Sequence, residues 1–107
     1  MATRVVVTRK AAIDIAGIYA YIKDTLASPV AAADFLDELE KGVDFLRAFP
    51  KGRPLCSDLF LAARGYRSFR IKEYIAIYSI KDETVHILHV FHRSQDYAAA
   101  VLSEERR

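Results

Sequence analysis

Between residues 66 and 97 the side chains alternate in character with a period of 2, and that rhythm predicts β-strands. Three runs carry it: residues 66–71, 74–80 and 84–91. β-Branched and aromatic residues fill them, as a pleated, half-buried surface favours. In the second run Ile75 and Ile77 point one way, and Tyr74, Ala76, Tyr78 and Ile80 the other. In the third, Val85, Ile87, His89 and Phe91 oppose Thr84, His86, Leu88, Val90 and His92. Few of these positions are charged, so the third strand is expected to be central and covered on both faces. The links, Lys72-Glu73 and Lys81-Asp82-Glu83, are too short for anything but antiparallel neighbours.

Upstream the apolar spacing lengthens to that of helices. Residues 2–7, with Val5, Val6 and Val7, first read as a short strand that joins the later sheet. Thr8 is placed to cap a helix running to about residue 26, whose stripe is Ile15, Ile18, Tyr19, Ile22 and Leu26. Gly17 weakens that helix and suggests a close helix contact. Ser28-Pro29 is a strong start signal for a second helix, since serine caps and proline suits the first turn. Phe35, Leu36, Leu39, Val43 and Leu46 form its apolar face, and Phe49-Pro50 ends it. An exposed Asp37–Lys41 pair is expected on its outer side. Two helices joined by a few residues make an antiparallel hairpin, and the sheet covers their stripes. Residues 51–65 read as a connection held to the body by Leu55, Leu59, Phe60 and Leu61. One or two helical turns are expected over residues 98–102, then a frayed, charged end. The fold class is α+β: a helical hairpin on a twisted antiparallel sheet in the order β-α-α-β-β-β.

Composition narrows the setting. A chain of 107 residues forms one domain, residues 1–107, with a single core. Its 52% hydrophobic and 28% charged residues suit a soluble globular protein. No apolar run is long enough for a membrane span, and no secretory signal opens the chain, so the cytoplasm is the expected compartment. The single cysteine, Cys56, cannot close an internal disulfide and reads as a small residue in a loop. A net charge of +2 is too mild to announce nucleic-acid binding. Acidic residues gather between Asp34 and Asp44, and basic ones between Lys51 and Lys72.

Candidate chemistry is sparse. His86, His89 and His92 lack metal-site spacing, and neither a phosphate loop nor a nucleophile elbow is present, so no metal and no cofactor are expected. Polar residues on and after the strands remain. Tyr66, Ser68 and Arg70 share one strand face, Arg67 lies on the other, and His92, Arg93, Asp96 and Tyr97 follow the third strand. Either Arg67 or Arg93 pairs with Asp96 and Tyr97 packs on the sheet edge, or the arginines line a cationic concavity. There they would hold phosphate while His92 or Tyr97 moved a proton.

Four stretches taken together, IYAYIKDTLASPVAAADFLDEL, LRAFPKGRP, GYRSFRIKEYIAIYSI and VHILHVFHRSQDY, resemble the RelE/ParE superfamily of toxins from bacterial type II toxin–antitoxin modules. The likeness spans residues 5 to about 97. It implies a protein that arrests growth when free and is neutralised by a cognate antitoxin seated beside the helical hairpin and along the sheet. Ile15, Tyr19, Ile22, Phe35 and Leu39 are the positions such a partner would contact. Two branches imply different targets. One cuts mRNA on the ribosome, and Arg70, His92, Arg93 and Tyr97 would supply its nuclease site. The other, ParE-like, poisons DNA gyrase by binding. Ile75 and Ala76 stand where the nuclease branch places basic or polar groups, and the HRSQDY ending looks more ParE-like, so the ParE-like reading leads. Arg67, Arg70 and Arg93 would then contact the target or a phosphate. An inert member that acts only as a binding partner is the third alternative.

Overall fold

The computed structural model describes residues 3–105. Strand β1 (Arg4–Val7) leads into helix α1 (Arg9–Ala20), which continues as one π-helical turn, Tyr21–Thr25. Helix α2 (Pro29–Ala48) returns antiparallel, and a short helix α3 (Leu59–Ala63) interrupts the connection that follows. Then come β2 (Arg67–Ile71), β3 (Tyr74–Lys81), β4 (Thr84–His92) and helix α4 (Tyr97–Glu105). The strands form one sheet in the order β1-β4-β3-β2. The expected α+β class and the central third strand are both found.

The local signals act as their chemistry requires. Thr8 accepts the Ala11 amide at 3.2 Å, and Ser28 accepts that of Ala31 at 3.2 Å with Pro29 in the first turn. Asp58 caps α3 by accepting two amides at 3.0 Å, and Asp96 caps α4 through the Ala99 amide. The Asp82-Glu83 turn has both residues at positive φ, the type I′ geometry that fits a hairpin's twist, here without a glycine.

One strand departs from the all-antiparallel expectation. β1 pairs with β4 in parallel, Arg4 against Thr84 through Val7 against Ile87, so the sheet is mixed. Three helices and two strands separate β1 from β4, and a crossover that long permits a parallel return where a tight turn does not. A second departure lies inside β4. Ile77 pairs with His89 and Tyr78 with Ile87, which leaves Leu88 as a bulge. Strict alternation fails there. Val85, Ile87 and Val90 all join the cluster beneath the helices, whereas His89 and Phe91 turn to the opposite face. The bulge sits where β1 ends. Thr8 donates its hydroxyl to the Leu88 carbonyl at 3.4 Å, and the Asp14 carboxylate accepts the Val90 amide at 3.0 Å.

The hairpin covers one face of the sheet. Phe35, Leu46, Phe69, Ile71, Tyr74, Tyr78, Val85 and Ile87 are buried between them. The second face holds a smaller cluster of Cys56, Leu61, Ile77 and Val101, with Ile75, Phe91 and Tyr97 packed around it. Helix α4 therefore extends past residue 102 as a cover for that face, not as a frayed end; Arg106 and Arg107 lie outside the described residues. Of the connection's expected anchors, Leu61 alone is buried. One short turn can aim only one side inward, and Leu59 and Phe60 are 82% and 66% exposed, with Leu55 also exposed. Lys41 meets Glu38 at 3.4 Å in place of Asp37.

Gly17 faces open space, with no atom within 4 Å of an added Cβ. The close approach falls at Gly42, where a Cβ would lie 2.3 Å from Cε2 of Phe69. Gly42→Ala should therefore destabilise the fold by about 1–3 kcal/mol through overpacking. Gly17→Ala, on an exposed helical face, should stabilise it by up to about 1 kcal/mol. Urea unfolding midpoints of the two variants check both signs; equal shifts would mean that α2 does not rest on Phe69.

Candidate functional site

The sheet distributes the candidate polar residues over both of its faces. Arg67 pairs in register with Tyr78 and shares its helix-covered side, and Arg70 pairs with Ile75 on the other. Because Leu88 bulges, His92 comes opposite Tyr74 on the helix side, and the expected common face of His86 and His92 is lost. His92 and Tyr74 meet edge to face at 5.2 Å. Tyr97 begins α4 and packs into the second-face cluster.

Their partners are local. Arg93 Nε donates to Glu73 at 2.6 Å, and its amide bonds the Glu73 carbonyl, so the end of β4 is tied to the β2–β3 turn. Arg67 donates to the Arg53 carbonyl at 2.6 Å. Neither arginine pairs with Asp96, because that carboxylate caps α4. Arg70 folds back on the Lys72 carbonyl at 3.3 Å. His92 Nδ1 accepts the Ser94 amide at 3.1 Å and sits 2.6 Å from the Ser94 hydroxyl, which places the proton of the neutral ring on Nε2.

Arg70, His92 and Arg93 each reach the β2–β3 turn, and Tyr97 stands apart from them. His92 lines a cavity of about 440 Å³ between the tip of the helical hairpin and the β2–β3 turn. Its walls are mostly apolar, with Tyr21, Ile22, Leu26, Phe35 and Tyr74, and its charged groups are of both signs: Asp34, Lys72 and Glu73. The π-helical turn shapes it. The Leu26 amide reaches back to the Tyr21 carbonyl at 3.0 Å, five residues away, and the wider turn swings Leu26 off the stripe into the cavity wall, 54% exposed. Tyr97 lines a separate hollow with Ser57, Asp58, Gln95 and Asp96. A nuclease needs its acid, base and phosphate ligands around one reacting atom, and this arrangement does not place Arg70, His92, Arg93 and Tyr97 that way.

The five helical positions expected to meet a partner are turned largely inward. Ile22 and Phe35 are buried, and Ile15, Tyr19 and Leu39 pack partly buried against the same core. Ile22 and Phe35 still present an edge to the cavity that His92 lines. The apolar residues that the hairpin leaves outward are Ile13, Tyr21, Leu26, Val30 and Leu36. Leu26 and Leu36, expected within the apolar stripes, face outward instead, and Ile13, Tyr21 and Val30 lie off those stripes, where hydrophobic spacing does not mark them. Arg53 was also missed. It sits within LRAFPKGRP, and its guanidinium lies 4.1 Å above the Phe45 ring.

Among the described residues, no group of three or more His, Cys, Asp or Glu side chains is placed to hold a metal ion, and no helix is long and apolar enough to cross a membrane. His89 is buried at 8% exposure beneath the second-face cover, stacked on Phe91 at 5.4 Å, with Nδ1 lacking a hydrogen-bond partner. Burial lowers its pKa from the ordinary 6.5, and Lys10 lowers it further; Asp14, Glu104 and Glu105 oppose both. Burial also pushes the Cys56 thiol up, away from the thiolate form.

Residues 5–97 match the family described as ParE toxin of the type II toxin–antitoxin system, parDE. Among solved structures, the chromosomal ParDE toxin–antitoxin system of P. aeruginosa superposes with a TM-score of 0.66 at 23% identity, over 84% of this chain and 95% of that one. The RelBE2 toxin–antitoxin complex of Mycobacterium tuberculosis gives a TM-score of 0.59 at 25% identity, over 87% of this chain and 100% of that one. No curated protein sequence matches the chain.

The depressed His89 pKa has a direct consequence. The unfolded chain takes up the proton near pH 6.5, whereas the folded one resists it until lower pH. Stability is therefore full above pH 6.5 and falls as the pH drops below it, until the folded pKa is passed. Urea midpoints between pH 7.5 and 5 should show this loss, and His89→Phe should flatten it. An unchanged slope in that variant would assign the loss to other groups.

Proposed function

The chain belongs to the ParE toxin family of type II toxin–antitoxin systems, and from that membership we propose that it arrests bacterial growth by trapping DNA gyrase, and that a cognate antitoxin restrains it. One observation carries the choice of target. Cys56, Leu61, Ile77 and, from α4, Val101 form an apolar cluster on the second sheet face, and Tyr97 lies in a separate hollow from Arg70, His92 and Arg93, which reach the β2–β3 turn. That supports a toxin acting by binding, without a hydrolytic centre. The antitoxin is proposed to lie along the hairpin and to enter the cavity lined by Tyr21, Ile22, Leu26 and Phe35. An apolar side chain on a segment that folds on binding suits those walls.

A ribosome-dependent mRNA endoribonuclease is the second reading, favoured by the likeness to the RelBE2 complex. It would draw on Arg70, Arg93, and His92 or Tyr97 to polarise a 2′-hydroxyl and steady the phosphorane charge.

Induction of the gene in a bacterium separates the two. The gyrase reading expects DNA-damage signalling and an accumulation of cleaved DNA–gyrase complexes, with Arg93→Ala and Tyr97→Phe both still toxic. Cuts in ribosome-bound mRNA, early translation arrest and loss of toxicity in those variants would replace it with the nuclease reading.

A further inference from the structure

We propose that Arg53 and Arg67 form a two-guanidinium clamp for a carboxylate of an acidic polypeptide segment. Both side chains gather around Tyr78, and the Arg67 side chain reaches the Arg53 backbone. Arg67 Nη1 donates to the Arg53 carbonyl at 2.6 Å, and both cations act on the phenol of buried Tyr78, which itself donates to the Pro50 carbonyl at 3.1 Å. Both arginines are half-buried. Phe45 closes one flat face of the Arg53 guanidinium at 4.1 Å. Glycine at 52 keeps that corner tight, since a Cβ there would lie 2.7 Å from the Phe45 ring.

What this pair lacks is an anion. Among the described residues, Arg47, Arg64 and Arg93 each have an acidic partner, and neither Arg53 nor Arg67 has one. Arg53 Nε is buried and has no acceptor at all. Two half-buried cations around one neutral phenol, with no anion beside them, keep unmatched donors. A carboxylate arriving on their terminal nitrogens neutralises the pair, and the planar fork of arginine matches its two oxygens.

Charge in the surroundings selects a polypeptide over a nucleic-acid backbone. The helix that carries Phe45 also carries Asp37, Glu38, Glu40 and Asp44 against Lys41 and Arg47, which pair with Glu38 and Asp44, and this net negative charge disfavours a continuous polyanion. A single acidic side chain flanked by apolar residues meets no such penalty and finds exposed Phe49 beside the site. The clamp does not depend on which cellular target the toxin has.

The test is a titration of the labelled full chain, reading the Nε–Hε resonances of Arg53 and Arg67 at constant ionic strength. Three probes are compared: a capped Leu-Glu-Glu-Leu peptide, its Leu-Gln-Gln-Leu counterpart, and inorganic phosphate. The acidic peptide should shift both resonances saturably, the glutamine peptide should not, and phosphate should be the weaker anion. Arg53→Gln should weaken the acidic peptide about tenfold, read at Arg67, whereas Arg47→Gln should not change it. Circular dichroism confirms that each variant is folded, and Arg53→Lys, which keeps the charge and loses the fork, should fall between. Equal shifts with the glutamine peptide, no saturable shift, or tighter binding of phosphate would each overturn the assignment.

Discussion

Phe69 against the bare backbone of Gly42 sets how closely the helical hairpin rests on the sheet. With 2.3 Å between the ring edge and the place a Cβ would occupy, no other residue fits without displacing the Phe69 ring or α2. From that contact the aromatic row extends in both directions. Phe69 leans on Tyr78 at 6.1 Å, and Phe35 meets Tyr74 edge to face at 5.3 Å. Tyr78 in turn reaches the Pro50 carbonyl and fixes the connection that carries Arg53. The cavity at the hairpin tip and the two-arginine corner therefore both take their shape from one close packing of helix on strand.

The bulge at Leu88 has the wider consequence for function. It lets Val85, Ile87 and Val90 all face the helices, and it moves His89 and Phe91 to the other side. Asp14 and Thr8 satisfy the backbone groups that β1, ending at Val7, leaves without a strand partner. With His92 on the helix side and Tyr97 at the start of α4 on the other, these two candidates for proton transfer are separated by the thickness of the sheet. Arg93 is tied to Glu73. A binding toxin tolerates this dispersal, whereas a hydrolytic one requires convergence.

Much of this was legible from local chemistry. Thr8, Ser28 and Pro29 act within a few residues of themselves, and the three long strands announce their own alternation, so their positions were readable. The helical stripe was readable too, as far as Ile22. Beyond it a π turn rotates Leu26 outward, and that turn leaves no mark in the spacing of apolar residues. The parallel pairing of β1, the Leu88 bulge and the closeness of Arg53 to Arg67 all depend on segments far apart in the chain, for which a single sequence carries no signal. The candidate site suffered most, because one inserted residue in β4 reverses which face every later side chain takes.

The central claim is that the second sheet face is closed by its own apolar cluster around Cys56, Leu61, Ile77 and Val101. Cys56 is the chain's single cysteine, 5% exposed within that cluster, and so reports on it directly. The most direct measurement is the rate at which a disulfide reagent modifies Cys56 in the native chain across a range of urea concentrations. A closed face predicts slow labelling that follows global unfolding; rapid stoichiometric labelling without denaturant would show the face open and contradict the account.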